Sequence, residues 1–246
     1  MLQKFGIEGV YVVHAKKGYE LHEAHVKKLF AENHLDFEFV TDGDPSLFTD
    51  ELLNRYFCTQ IKSLLKTGHI SLALNHIISY ERVVGNKNKY ALIFEDDVFF
   101  TGDFVKEMEL IVKEADTLPS GFIISLENTA LEFPHYGVIK KNKHLYGADH
   151  GRMAGAYLID LKAAHDILNF SKSDKCCEAI DLWHNTLIER GIIKMYWAYP
   201  ALTEQGSHNG LMSSTISTKQ KNTFRRVRWL VQKFYKTNIW RWFKRK

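Results

Sequence analysis

Tyr90-Ala91-Leu92-Ile93-Phe94-Glu95-Asp96-Asp97 is the stretch that decides the fold: an apolar run passes straight into three carboxylates. A run without polar alternation fits a strand covered on both faces, as in parallel sheets. We place this strand over Lys89 to Val98. Working outward, Ile7 to Val13, Leu35 to Val40, Phe122 to Leu126, Ala154 to Ile159 and Met195 to Tyr199 read as further strands. Glu20 to Glu32, Thr67 to Val84, Phe104 to Ala115, Leu161 to Asn169 and Ala179 to Arg190 have helical spacing. Thr67 and Asp160 are candidate N-caps, and Gly191 closes the last of these helices. Asp42-Gly43-Asp44-Pro45 is a turn. Tyr136 to Tyr146 reads as a hairpin turning near Lys141-Asn142. Strands alternating with helices predict an α/β fold with a mainly parallel, Rossmann-like sheet, with ligands bound beyond the carboxyl ends of its strands.

The chain has 246 residues, 45% hydrophobic and 25% charged, which fits one ordinary globular domain with a tail. We divide it into a domain over 1–218 and a tail over 219–246. The net charge of +4 is unevenly spread: the tail carries eleven Lys and Arg and no acid, which leaves the rest at −7. Three cysteines, two of them adjacent (Cys176 and Cys177), form neither a disulfide framework nor a zinc spacing. They suggest a reducing compartment. With no apolar leader and no run long enough to span a bilayer, a cytoplasmic location is expected.

Glu95 and Asp97 are two residues apart on a strand and so share a face, with Asp96 on the other if the extended geometry continues. Two carboxylates on one face at the end of a buried strand are costly unless neutralised. A hard cation, Mg2+ or Mn2+, would do so and would bridge to a ligand diphosphate. A solvated acidic turn is the structural alternative.

Several segments occur in a telling order. Lys66-Thr67-Gly68-His69-Ile70-Ser71-Leu72-Ala73-Leu74-Asn75-His76 precedes the acidic strand. Phe122-Ile123-Ile124-Ser125-Leu126-Glu127, Ala154-Gly155-Ala156-Tyr157, Ala179-Ile180-Asp181-Leu182 and Tyr199-Pro200-Ala201-Leu202-Thr203-Glu204-Gln205 follow it. Together, over roughly residues 7–210, they resemble glycosyltransferase family 25, whose members include lipooligosaccharide galactosyl- and glucosyltransferases. The resemblance implies a GT-A-like catalytic domain, a UDP-sugar donor, Mn2+ and inversion at the anomeric carbon. It departs at His69, where the family has Glu, at Asn75, where it has Ser, and after the first strand, which reads Val13-His14-Ala15-Lys16-Lys17.

On this reading Asp97 is the first metal ligand, with Glu95 and Asp96 sharing metal or donor contact. Asp181 is the preferred base for the acceptor hydroxyl and Glu127 its rival. A helix N-terminal acid is the structural alternative for Asp181. His76 would touch the donor, unless it is a core histidine. His208 would approach the metal from a closing loop, unless it is a surface residue. Gly155 permits close approach and Tyr157 offers stacking to a sugar, with core packing the alternative. His14 and Lys16 are nucleotide-site candidates.

From Phe224 onward, Arg and Lys interleave with apolar residues. Val227, Leu230, Val231 and Phe234 have helical spacing, which Trp240 and Phe243 extend. A basic helix rich in Trp and Phe suits an anionic membrane surface. It would bring the enzyme to a lipid-linked glycan acceptor at the inner leaflet, as a peripheral protein. Nucleic acid is not an expected partner, because no nucleic-acid-binding motif accompanies the charge. A helix that packs on the domain is the remaining possibility for the tail. For the whole chain, a non-catalytic membrane- or polyanion-binding protein on a transferase fold is the alternative of another class.

Overall fold

The computed structural model describes residues 2–213 and 223–240. Residues 214–218 of the expected domain, and 219–222 and 241–246 of the expected tail, including Phe243, lie outside the described residues. The central sheet has seven strands. They are β1 (Ile7–Val13), β2 (Glu38–Val40), β3 (Tyr90–Glu95), β5 (Phe122–Ser125), β6 (Leu145–Ala148), β7 (Ala156–Asp160) and β8 (Lys194–Ala198). Their order is β2-β1-β3-β7-β5-β8-β6. Five run in one direction; β7 and β6 run against them. A separate ribbon pairs β4 (Val98–Phe100) with β9 (Thr203–Gln205). The mainly parallel α/β expectation holds.

The sheet is covered on both faces, as the apolar run in β3 requires. Ala91 and Ile93 enter one core cluster, Leu92 and Phe94 the other. Each fully buried Ile, Leu or Phe contributes about 1.5–3 kcal/mol of transfer free energy. On the first face lie α2 (Asp50–Tyr56), α3 (Ile61–Leu64), α4 (Thr67–Gly85), α6 (Leu161–Ser173) and α7 (Ile180–Glu189). On the second lie α1 (Glu20–Glu32) and α5 (Phe104–Ala115). Asp160 caps α6 as expected, accepting the Ala163 N–H at 2.7 Å.

Several local expectations are corrected. The second strand shrinks to Glu38–Val40 because it pairs with β1 alone at the sheet edge. Lys66, not Thr67, stands at the N-cap of α4 and offers no side-chain bond. The expected hairpin is absent: Tyr136–Val138 is a 3-10 turn, and β6 pairs with β8 instead. Cys58 and Cys177 form a disulfide, with Cα atoms 5.4 Å apart. A backbone bridge pairs Phe57 with Cys176, which places the next residue of each strand side by side. That long-range register is invisible in cysteine spacing. No helix among the described residues is long and apolar enough to cross a membrane.

The chain ends its described part in α8 (Gly206–Asn209), α9 (Thr223–Tyr235) and a π-helical turn, Lys236–Trp240. α9 packs on the domain. Trp229 is buried against Leu131 and Phe133, and Glu204 pairs with both Arg226 and Lys233.

Candidate active site

β1 and β3 run parallel side by side and end together, Val13 opposite Glu95. The neighbour on the other side of β3 is the antiparallel β7. A crevice opens beyond the carboxyl ends of β1 and β3, where the strand order reverses with β2 on one side of β1 and β3 on the other, the place where open α/β sheets bind ligands. Here it is a cavity of about 340 Å3. Val13 and His14 from the end of β1, Glu95, Asp96 and Asp97 from the end of β3, and Ser207 from α8 line it, among others.

All three carboxylates reach this cavity, which corrects the expected split between faces. Extended geometry stops at Glu95, because Asp96 and Asp97 form a turn before β4. Asp96 is clamped by two histidines. Its Oδ2 lies 2.7 Å from His14 Nδ1 and its Oδ1 lies 2.8 Å from His22 Nδ1. Burial acts to raise the Asp96 pKa, but the His14 and His22 bonds outweigh it and hold the carboxyl below its ordinary range. For His22 burial acts downward, and the Asp96 bond and the Asp96 and Asp97 charges carry it above its ordinary value.

Asp97 has a different environment. Its Oδ2 accepts the Ser207 N–H at 2.9 Å, and its backbone carbonyl accepts the Gly206 N–H at 2.7 Å. Its Oδ1 is buried with no hydrogen-bond partner. Burial pushes the Asp97 pKa up, against the pull of Ser207 and with the Asp96 charge. Glu95 accepts from Gln205 Nε2 at 2.9 Å. Burial, followed by the charges of Asp97, Glu127, Asp96 and Asp181, pushes its carboxyl well above the ordinary range. Asp96 thus has both oxygens occupied, while burial and the neighbouring carboxylates disfavour the ionised forms of Glu95 and Asp97.

This arrangement fits a hard divalent cation. The donors are carboxylate oxygens, and Asp97 Oδ1 lacks a partner. No three His, Cys, Asp or Glu side chains among the described residues gather as a complete metal cage. Mg2+-type sites commonly use one or two carboxylates with substrate phosphates and water. Glu95 and Asp97 meet that requirement. His208 belongs to α8 beside Ser207 but does not line the cavity.

The other expected site residues divide. His14 is at the cavity; Lys17 lines it in place of Lys16. Asp181 stands in the first turn of α7, outside the cavity lining, yet near enough for its charge to act on Glu95. Glu127 is fully buried, and its Oε1 accepts the Gly155 N–H at 2.6 Å. Burial raises its pKa to about 7, against the lowering influence of Thr129, Gly155 and Arg152. It anchors the backbone beside the site rather than facing the cavity.

His76 and Tyr157 take the core placement that was the alternative for each. Both belong to the core, where a hydrogen-bonded chain runs His76 Nδ1–Tyr157 Oη (2.7 Å), Tyr157 Oη–Tyr80 Oη (2.8 Å) and Tyr80 Oη–His184 Nε2 (2.6 Å). With its ring buried, Tyr157 offers no face for sugar stacking. Gly155 does not line the cavity; the neighbour that needs its lack of a Cβ is the side chain of Gln205, the group that holds Glu95.

Sequence reasoning missed His22, Gln205 and Ser207. Gln205 ends a segment that carries the resemblance but had no role assigned to it; His22 lies 74 residues from Asp96, and Ser207 lies 110 from Asp97. Asn75, noted as a departure, is a brace. Its Oδ1 accepts the Gly43 N–H at 2.7 Å and its Nδ2 donates to the His14 carbonyl at 3.3 Å.

The chain matches the sequence model of Glycosyltransferase family 25 (LPS biosynthesis protein) over residues 10–183. It is also 27% identical over 126 residues to the lipooligosaccharide biosynthesis protein lic2B of Haemophilus influenzae. That match covers 50% of this chain and 46% of the relative, so it spans about half of each.

Proposed function

Since the chain belongs to glycosyltransferase family 25, we propose that it transfers a hexose from a UDP-sugar to a lipooligosaccharide acceptor, with inversion. Galactose is the favoured sugar and glucose the second choice. The observation that carries the reading is the pair of carboxyls with raised pKa values, Glu95 and Asp97, in the cavity where β1 and β3 end. Mn2+ or Mg2+ held by Asp97 and Glu95 would neutralise charge on the departing diphosphate.

The chain's own residues divide the remaining work. His14 and His22 fix Asp96, and Asp96 in turn holds the two rings at the cavity wall. Gln205 orients Glu95 and the Ser207 N–H orients Asp97. Asp181 accepts the proton of the acceptor hydroxyl as that oxygen bonds to the anomeric carbon. The bond from the anomeric carbon to the diphosphate breaks, and UDP leaves with the electron pair. Glu127 keeps Gly155 and Ala156 in place beneath Glu95. An acceptor carried on lipid suits a cytoplasmic enzyme resting peripherally on the inner leaflet.

The test is release of UDP from a panel of UDP-sugars, with Mn2+ or with EDTA, in the wild type and Asp97→Ala. Metal-dependent release that favours one sugar and disappears in the variant supports the reading. Neither release nor UDP binding would sink it, and would favour a non-catalytic binding protein.

A further inference from the structure

Helix α9 has two unlike faces. At about 100° per residue, Arg226, Trp229 and Lys233 fall on one side. This side is docked: Trp229 sits against Leu131 and Phe133, with Glu204 between the two cations. Arg226 and Lys233 also lie over the Trp229 ring, at 5.2 and 5.0 Å. Phe224, Val227, Leu230, Val231 and Phe234 fall on the other side, across an arc of roughly 120°. They face outward; Phe224 is 74% exposed, Phe234 64% and Val231 62%. The π-helical turn continues the apolar exposure with Ile239 and Trp240.

The docking is specific, so the outward direction of the stripe is fixed by the domain. Gly210 lets the helix approach closely; a Cβ there would lie 2.8 Å from the Arg226 backbone nitrogen. Arg225 donates to the Ser207 carbonyl at 2.6 Å. Ser207 is the residue whose N–H holds Asp97. The apolar stripe is thus tied, through one helix and one loop, to the acidic cavity.

We propose that the outward face of α9 and the Lys236–Trp240 turn is a docking surface for an anionic lipid bilayer. Its apolar side chains enter the interface while Arg228, at the edge of the stripe, meets lipid phosphates. Charge selects this occupant. Residues 223–240 contain no Asp or Glu, and Arg228 stands beside the exposed stripe, while Arg225, Arg226, Lys233 and Lys236 are held by the domain through Ser207, Glu204 and Ala130. Glu204 is the one carboxylate seen to pair with this helix among the described residues. A helix with a broad apolar face, flanking cations and a tryptophan lies in a membrane interface plane. Long basic side chains can lay their stems on apolar surface and still reach headgroups. The proposal deepens the transferase reading by bringing the acidic cavity to a lipid-carried acceptor. The membrane contact itself is measured without any sugar.

Flotation of the full chain with vesicles tests this. One set contains phosphatidylglycerol and phosphatidylethanolamine, the other phosphatidylcholine alone. The wild type should float with the anionic set, less as salt rises, and should stay behind with the neutral set. Val231→Asp with Phe234→Asp should weaken binding at least about tenfold while leaving the melting temperature unchanged, since both side chains are exposed. Arg228→Glu is the second variant, expected to weaken binding to the anionic set. Wild-type binding to neither set overturns the proposal, as does equal binding by the double variant. So does a wild-type dimer that the double variant dissolves, which would make this face a protein interface. If UDP release fails but flotation succeeds, the transferase reading falls and the membrane surface stands.

Discussion

The carboxylates at the end of β3 and the His76–Tyr157–Tyr80–His184 chain are both buried polar clusters, and they are built in opposite ways. The second is nearly self-sufficient. Its members hydrogen-bond to one another across α4, β7 and α7, with His76 Nε2 the atom left over. Burial lowers the His76 pKa well below its ordinary value and takes His184 to about 3, so both rings are neutral. The first is incomplete. Glu95 and Asp97 repel each other, burial raises both, and Asp97 Oδ1 has no partner. A cluster satisfied from within supports the fold; one with raised carboxyls and an unpartnered buried oxygen is the better candidate for binding a ligand.

The largest effect should come from breaking the incomplete cluster. Asp97→Ala should lower metal-dependent UDP release by about a hundredfold to a thousandfold, the scale for loss of a main electrostatic contact. The metal-free chain should at the same time melt no lower with Asp97→Asn than as wild type, because the substitution removes like-charge repulsion. A clear loss of stability in Asp97→Asn would show that this carboxylate supports the fold.

Glu127 stands between the two kinds. It is buried and bonded to the Gly155 and Ala156 N–H groups, yet its charge acts on Glu95. Its pKa rises from 4.5 to about 7 on folding. Between those values the folded state holds a proton that the unfolded state has released. Stability from this group therefore falls as pH rises through that window, by up to about 3 kcal/mol. Denaturant unfolding at several pH values should show a shallower fall for Glu127→Gln, by as much as one proton. An unchanged slope would mean that Glu127 ionises as freely in the folded chain as in the unfolded one.

Tyr157→Phe probes the self-sufficient cluster. The hydroxyl bridges His76 and Tyr80, so its removal should cost about 1–3 kcal/mol in urea unfolding and leave the KM for the UDP-sugar unchanged. A raised KM with intact stability would return Tyr157 to the donor site.

What was legible in the sequence follows the range of the interactions. β3 and its acids could be read because burial on both faces and an abrupt change of polarity are local. Helix α5 was readable for the same reason, its apolar positions recurring along Phe104–Ala115. The direction of Asp96 was not readable, because a turn, set by the demands of the β4–β9 ribbon, interrupts strand alternation. The choice between donor contact and core for His76 and Tyr157 was not readable because their partners, Tyr80 and His184, become neighbours only when α4, β7 and α7 pack. Gln205 and Ser207 reach the carboxylates from 110 residues away. No periodicity reports a contact at that distance.

The smallest expected effect tests whether a departure from the family pattern alters the cavity or only its wall. Asn75 spans Gly43 and the His14 carbonyl, holding the turn after β2 against the end of β1. The fit is close: a Cβ on Gly43 would lie 2.8 Å from Asn75 Oδ1 and 2.9 Å from the Ser71 carbonyl oxygen. Asn75→Ser, which restores the family's usual residue, shortens the side chain and removes one donor. The Gly43 N–H and the His14 carbonyl would each lose a neutral partner, a cost of about 1 kcal/mol where water replaces one of them. Asp96 keeps both histidines in this variant, so UDP release should hold near the wild-type rate while urea unfolding shifts slightly. A large drop in release with stability intact would place Asn75 among the groups that set the donor geometry, and would make the wall of the cavity part of its specificity.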